Sequence, residues 1–434
     1  MRYSTHPSTA LTAESALATE RSFTHDLRPW RALLGIALLS VLASCDDGYS
    51  NNCYNCVVIP TEISLGVVAG NFSANGLASV VATSAIEPNP TVGYDNLKVY
   101  LSTGAGAFAP PVIVADGVGP LYLASADLNG DGLPDVVSAS ADDGTLSVFF
   151  NDKNSPGTLN APLLLSSPGA SQVAIGDMNH DGLPDLVSAD YGVSLFIQTS
   201  PGTFAAPISL YSGGANWVAV GDLNGDGSAD IALTDVVGVQ VLMHTGAASA
   251  TTYAAPVNVF TQAANANVIG ANLIAIVDVN GDGDNDLVIT DPGPTGGMTP
   301  TVNILMQNAA SPGTFLAPVS YPIAAHDLSQ SIMVTDVDGD GRPDIVIGGQ
   351  QTVTVLLQNH APAAPGTFMA ATVYTAPRAY EIAVADINGD GKLDIVVSNG
   401  VSTPDVNGVV TTRPGVLLQS ATSPGKFSAV QDLP

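Results

Sequence analysis

From about residue 65 onward, apolar residues come in runs of four to seven, rich in Val, Ile, Leu and Ala, each closed off by Gly, Pro, Asn or Asp. Runs this short, β-branched and bounded by turn formers read as strands. Val218-Ala-Val-Gly221 leads into an Asp/Asn/Gly cluster, and Asp394-Ile-Val-Val397 leads out of one. A third run follows the next turn, as in Val353-Thr-Val-Leu-Leu357, and the fourth follows a Pro-Gly-Thr-Phe turn, as at residues 315–321. No stretch of the repeat has the length or the caps of a helix. Four strands in each repeat of about 50 residues describe a propeller blade.

The Asp/Asn/Gly cluster sets the register of the repeats. The pattern D-x-[DN]-x-D-G-x-x-D occurs intact from Asp127, Asp177, Asp222, Asp278, Asp336 and Asp386. A decayed copy stands at Asn71, with Ser73, Asn75, Gly76 and Ser79 in the same frame. Successive copies start 56, 50, 45, 56, 58 and 50 residues apart. The expected fold is all-β, a seven-bladed β-propeller of four-stranded blades filling 62–434 and leaving no room for a second domain. Blades are expected at about 62–115, 116–166, 167–211, 212–260, 261–321, 322–374 and 375–434. The ring closes either without strand exchange or with residues 57–63 as an extra closing strand.

The same cluster predicts metal chemistry. In the copy starting at Asp336, the carboxylates of Asp336, Asp338 and Asp340 alternate with Val337 and Gly339, so three side chains can converge. Gly341 permits a tight reversal, the Arg342 carbonyl can turn inward, and Asp344 closes the loop from the next strand. Calcium, a hard cation taking six to eight oxygens, suits such a donor set. An EF-hand starts alike but needs Glu at position 12 and flanking helices. Position 12 here is Ser138, Ser188, Leu233, Ile289, Ile347 or Val397, amid strand-like sequence. The alternative is a metal-free turn held by side-chain-to-backbone bonds. That is the expectation for the Asn71 copy, which has no carboxylate.

With Gly-Thr-Phe-x-Ala-Pro segments beside these motifs, about 370 residues resemble the FG-GAP/VCBS repeats of integrin α-chain-type β-propellers. The resemblance implies about six Ca2+ ions, each in the loop between the first and second strands of a blade. Carried over by position, the ligands of blade two are Asp127, Asn129, Asp131 and Asp135 with the Leu133 carbonyl. Those of blade three are Asp177, Asn179, Asp181, Leu183 and Asp185, and of blade four Asp222, Asn224, Asp226, Ser228 and Asp230. Blade five offers Asp278, Asn280, Asp282, Asp284 and Asp286. Blade six offers Asp336, Asp338, Asp340, Arg342 and Asp344, and blade seven Asp386, Asn388, Asp390, Lys392 and Asp394.

Composition then takes on a meaning. The chain of 434 residues carries 39 Asp+Glu against 11 Lys+Arg, a formal net charge of −28, although only 12% of residues are charged. About half of the acids beyond residue 44 sit in the metal motifs, so the acidity mainly counts metal loops. Nucleic acid is excluded as an electrostatic partner, and the Val, Ile and Leu content excludes a disordered acidic chain.

Ahead of the repeats, Arg28 and Arg31 precede an apolar run from Ala32 to Ala43. This is the pattern of a secretory signal, and it is too short to span a bilayer. Leu42-Ala43-Ser44-Cys45 resembles the bacterial lipobox, implying cleavage after residue 44 and a diacylglycerol on Cys45. Residues 1–44 are therefore expected to be leader and 45–61 a lipidated tether, holding an exported protein in the bacterial cell envelope, periplasm-facing or surface-exposed. Cys53 and Cys56 read as a tether loop, disulfide-bonded in an oxidising periplasm; a redox pair would need a βαβ setting and a metal site more ligands.

Three function classes fit such a ring. A non-catalytic adhesion or binding module would meet a protein or glycan through the face opposite the metal loops, where 84–97, 291–301 and 399–414 are long. Residues at the blade starts, Tyr122, Trp217, Arg378, Tyr380 and Glu381, are candidates for that contact, with packing between blades as the alternative for Trp217. A lectin should repeat its sugar-stacking aromatic. The residues five before each motif do not repeat: Tyr122, Gln172, Trp217, Leu273, Ser331 and Glu381. An enzyme needs convergent acid, base or nucleophile groups. His180, His244, His326 and His360 fall at unrelated blade positions, and nothing marks Asp95, Asp116 or Asp405. The expectation is a monomeric, non-catalytic, calcium-stabilised binding module.

Overall fold

The computed structural model describes residues 61–433 except 64, 88–94, 118–119, 247–251, 262–272, 294–299, 324–326, 328, 361–364 and 400–412. The expected leader, the three cysteines, most of the expected tether and large parts of the three long loops lie outside the described residues.

Seven antiparallel sheets follow one another along the chain, and no helix occurs among the described residues. Each forms one blade from a single contiguous stretch. Blade two, for instance, runs Pro120–Ala126, Asp135–Ser140, Thr145–Phe149 and Leu163–Ser166, each strand paired with the next. Burial grades across the blade: Asp135–Ser140 is buried throughout, whereas Leu163–Ser166 is largely exposed. Second and third strands are covered on both faces by neighbouring blades, so they read in the sequence as unbroken apolar runs instead of alternating ones.

The core lies between blades. Apolar clusters join blade one to two through Val81, Leu97 and Phe149, two to three through Val137, Leu146 and Phe196, and three to four through Val187, Leu195 and Ile231. One larger cluster runs from blade four through five to six, and another joins six to seven. The last joins seven back to one, with Val396 and Ile387 against Val67 and Val80. The ring thus closes by packing. Blade seven ends on its own outer strand, Gln431–Asp432, and Thr61–Ile63 pairs with Ala85, Ile86 and Glu87 of blade one. No strand from the start of the chain joins blade seven among the described residues.

The expected fourth strand needs one correction. Phe315 is not its first residue; it bridges Gln307, and the outer strand is Val319–Pro322. The Pro-Gly-Thr-Phe segments form a separate small hairpin between strands three and four, as at Gln198–Ser200 with Thr203–Phe204. That hairpin leans on the preceding blade: the Gly202 amide donates to the Leu128 carbonyl at 3.1 Å.

Side chains of the first strands meet across the ring axis. The ring of Tyr122 in blade two lies edge-on to Trp217 in blade four, with centroids 5.2 Å apart at 80°. Glu381 of blade seven accepts a hydrogen bond from the Val67 amide of blade one at 2.7 Å and a longer one, 3.4 Å, from Leu123 of blade two. Gln172 of blade three accepts one from Val218 of blade four at 3.0 Å. Blades two and four are not neighbours, nor are seven and two, so only a filled axis brings them together.

Candidate metal loops and the opposite face

Six loops, from Asp127, Asp177, Asp222, Asp278, Asp336 and Asp386, connect first to second strands in one shared geometry. In blade six, Asp336 Oδ1 accepts the amides of Gly339 and Asp340 at 2.7 and 3.0 Å, and Oδ2 accepts Gly341 at 2.7 Å. Asp338 Oδ1 accepts the Asp340 amide at 3.1 Å, and Asp340 Oδ1 accepts Arg342 at 2.9 Å. Gly339 and Gly341 have φ of 81° and 87°, the left-handed conformation in which a Cβ is strained. His180 takes the place of the first of these glycines in blade three at φ 57°.

The second residue of each motif is an apolar anchor that the spacing of acids did not reveal. Leu128, Met178, Leu223, Val279, Val337 and Ile387 are all buried in the core between blades, as is Phe72 of the decayed copy. Its amide donates to the ninth-position carboxylate, for example Leu128 to Asp135 Oδ2 at 2.9 Å and Val279 to Asp286 Oδ2 at 3.1 Å. The other oxygen of that carboxylate accepts an amide from the end of strand three: Asn151 to Asp135 at 2.8 Å, His244 to Asp230 at 2.7 Å, Gln419 to Asp394 at 2.7 Å. The ninth Asp is thus a buried tie between loop, second strand and third strand.

Burial, reinforced by the other loop carboxylates and only partly offset by these two amides, pushes Asp135, Asp185, Asp230 and Asp286 up to about 6 and Asp344 to about 7. Asp394 moves the same way. Asp338 is also raised, first by burial and then by Asp340 beside it. A carboxyl that holds its proton more tightly folded than unfolded favours the folded state while protonated. That contribution is complete below the ordinary value of 3.8 and is lost as pH rises through about 6. Metal-free protein should therefore melt lower at about pH 8 than at about pH 5. Scanning calorimetry in chelator checks this, and the reverse order would contradict the assigned carboxyl environment.

The donor set fits a hard divalent cation. Ligand oxygens of Asp336, Asp338 and Asp344 lie within 4.8 Å of one another, and the ninth carboxylate, although hydrogen-bonded, keeps a lone pair on each oxygen. A bound Ca2+ would supply charge neutralisation and cross-linking to Asp127, Asn129, Asp131 and Asp135 and to their counterparts in the other loops. In blade one, Asn71 Oδ1 accepts the Gly76 amide at 3.1 Å and Asn75 Oδ1 accepts Leu77 at 2.9 Å, the same two bonds as in the acidic loops but made by neutral side chains. That loop is a self-contained turn.

The FG-GAP-like repeat family matches this chain at residues 71–138, 127–188, 181–233, 278–347 and 336–397, together more than half of its length. The chain belongs to that family. Each matched span runs from one Asp/Asn motif into the second strand of the following blade, so it bridges two successive blades. No curated protein matches the sequence. Solved structures that resemble it include a lectin of Agrocybe aegerita with specific recognition of non-reducing terminal N-acetylglucosamine. That match has 18% identity and a TM-score of 0.49, over 72% of this chain and 80% of the lectin chain. A chain from the complex of BBS1N with ARL6DN matches at 10% identity and TM-score 0.50, over 85% of this chain and 96% of its own. This second likeness extends to the fold.

Of the residues expected to meet a partner, Trp217 and Glu381 are 7% and 5% exposed and belong to the filled axis with Tyr122. They are withdrawn from any loop tip. Burial, with Glu381 nearby, also pushes the Tyr122 hydroxyl far up, and burial pushes the Glu381 carboxyl well above its ordinary range. Arg378, at φ 60°, and Tyr380 are half-buried; the Arg378 amide donates to the Gln350 carbonyl at 2.7 Å.

The face opposite the candidate metal loops presents different groups. At the turns between strands two and three, Tyr191 of blade three and Val236 and Val237 of blade four are 61%, 90% and 51% exposed. The acid at each turn's base holds it in place. Asp190 accepts the Gly192 amide at 2.7 Å and the Ser194 hydroxyl at 2.6 Å, and Asp235 accepts Val237 and Gly238 at 2.7 and 3.0 Å. Tyr211 of blade three donates its hydroxyl to Asp235 at 2.7 Å, fastening the neighbouring turns together. A short Asp-x-x-Gly or Asp-x-Gly between two buried apolar runs was the available signal for these tips.

Proposed function

We propose that this protein is a calcium-stabilised, non-catalytic binding module, displayed from a lipid on Cys45 in the bacterial cell envelope. It engages a protein partner through the face opposite its metal loops. The observation carrying this reading is the division of labour between the faces. One face repeats the same acidic loop six times, and the other holds Tyr191, Val236 and Val237 outward on turns locked by buried acids. An exposed tyrosine on a rigid base is the kind of residue that anchors protein contacts, and the valines beside it add apolar surface. The propeller architecture of FG-GAP-like repeats fits such a module. A lectin reading gains nothing from Trp217, which is buried, or from the axis residues, which differ in every blade.

The double variant Tyr191→Ser, Val236→Ser should abolish capture of the envelope partner by immobilised protein while leaving the melting temperature within a degree or so, since surface changes cost little. Undiminished capture by the double variant would move the contact elsewhere. Palmitate or diacylglycerol incorporation that persists in Cys45→Ala would remove the anchor from the reading.

A further inference from the structure

We infer that the loop of blade six is a mixed nitrogen–oxygen centre that takes a first-row transition ion such as Zn2+, with His360 as its nitrogen ligand. The inference rests on reading the loops as metal centres and separates this one from the other five.

Two sequence departures coincide here. Position three is Asn in five loops, at Asn129, Asn179, Asn224, Asn280 and Asn388, and a carboxylate only at Asp338. Blade six also sends an imidazole back from the end of its third strand. His360 Nδ1 lies 2.9 Å from Asp340 Oδ2 and Nε2 lies 3.9 Å from Asp338 Oδ2. Ligand atoms of Asp338, Asp340 and His360 all fall within 4.8 Å of one another, and a second such group, Asp336, Asp338 and Asp344, shares Asp338. Among the described residues no other set of His, Cys, Asp or Glu side chains converges this closely. In the tetrahedral geometry of Zn2+, two ligands each about 2.1 Å from the ion stand about 3.4 Å apart. Ligand atoms within 4.8 Å of one another reach that spacing by side-chain rotations that move each by about an ångström at most.

The backbone leading to His360 is tied to the loop at two points. Arg342, the seventh residue of the motif, turns its guanidinium to the carbonyl of Asn359 at 2.6 Å, and the Gln358 amide donates to Asp344 Oδ1 at 2.7 Å. The two residues preceding His360 are thereby fastened to the loop that His360 faces. Calcium takes oxygen ligands, whereas imidazole with carboxylates suits Zn2+ and its first-row neighbours. A nitrogen ligand beside carboxylates is therefore a device for choosing the ion.

The test is isothermal titration of the purified protein with Zn2+, once in saturating calcium and once in calcium-free buffer. One Zn2+ per chain is expected in both, lost in His360→Ala and weakened in Asp338→Asn, which restores the Asn of the other loops. His180→Ala, altering the one histidine inside a loop, should keep the site. Binding should shift the imidazole nitrogen resonances of a single histidine, the one missing from the His360→Ala spectrum. No stoichiometric Zn2+ in the wild type, or the same site surviving in His360→Ala, overturns the proposal. The calcium-induced rise in melting temperature, measured in parallel on wild type and His360→Ala, reports on the calcium reading independently. Its absence would remove that reading while the zinc result stood alone.

Discussion

Calcium should raise the unfolding temperature by roughly 20 °C over the same protein in chelator. A ligand that binds only the folded state stabilises it by about 2.7 kcal/mol at a hundredfold excess over Kd, and the five all-oxygen loops together reach about 14 kcal/mol. The folded unit runs from Ile59 to Pro434, and at about 2.1 cal/mol/K per residue its unfolding entropy is near 0.8 kcal/mol/K. Dividing one by the other gives the expected shift. The structural reason is electrostatic as well as statistical. Each acidic loop carries at least three Asp, at positions one, five and nine, and the ninth is buried. Differential scanning calorimetry with calcium and with chelator measures the shift directly. A change of only a degree or two would mean that amide bonds alone satisfy the loops, and it would falsify the metal reading.

Glu381→Ala should cost on the order of 3–5 kcal/mol, whereas Glu381→Gln should cost under about 1 kcal/mol. The carboxyl is buried and is the acceptor for Val67 and, more weakly, for Leu123. Truncation leaves both amides facing a void, at about 1–3 kcal/mol for each buried unpaired group plus lost packing. The amide of Gln retains an acceptor oxygen, and because burial already drives this carboxyl toward its neutral form, removing its charge costs little. Gly66→Ala tests the same joint from the other side. An added Cβ would lie 2.9 Å from Glu381 Oε2 and 3.0 Å from Leu123 Cγ, so it should also destabilise. These comparisons belong in saturating calcium, with chemical denaturation as the readout. Equal stability of the Ala and Gln variants would mean that Glu381 fills space without fastening the ring.

The blades were legible because what builds them repeats. Middle strands covered on both faces must be apolar at every position, and a loop that gathers carboxylates must alternate them, so both patterns survive drift between copies. The axis was illegible for the opposite reason. Seven first strands point at one narrow space, and seven copies of a large side chain cannot occupy it. The position is therefore filled differently each time, from Gly66 through Tyr122 and Trp217 to Glu381. Non-repeating residues looked like ornaments available to a partner, yet their variety is the signature of a shared core. His360 was missed on similar grounds. Its distance along the chain from Asp340 says nothing of the third strand's return to the loop, which pairing of Ile345 with Leu356 sets up. The apolar second position of each motif was visible as a letter but not as a load, since its partner core belongs to another blade.

The uncharged loop of blade one has a consequence for how the ring comes apart. Its apolar residue, Phe72, packs in the core between blades one and two, and its carbonyl accepts the Asn151 side-chain amide of blade two at 2.8 Å. The junction of seven with one instead includes Ile387 of the acidic loop that starts at Asp386. Calcium withdrawal is therefore expected to loosen the ring at its closing junction as at the others and to spare the joint between blades one and two. The ring then opens at its seam while its first two blades stay together, and restored calcium acts on a chain that keeps a two-blade nucleus.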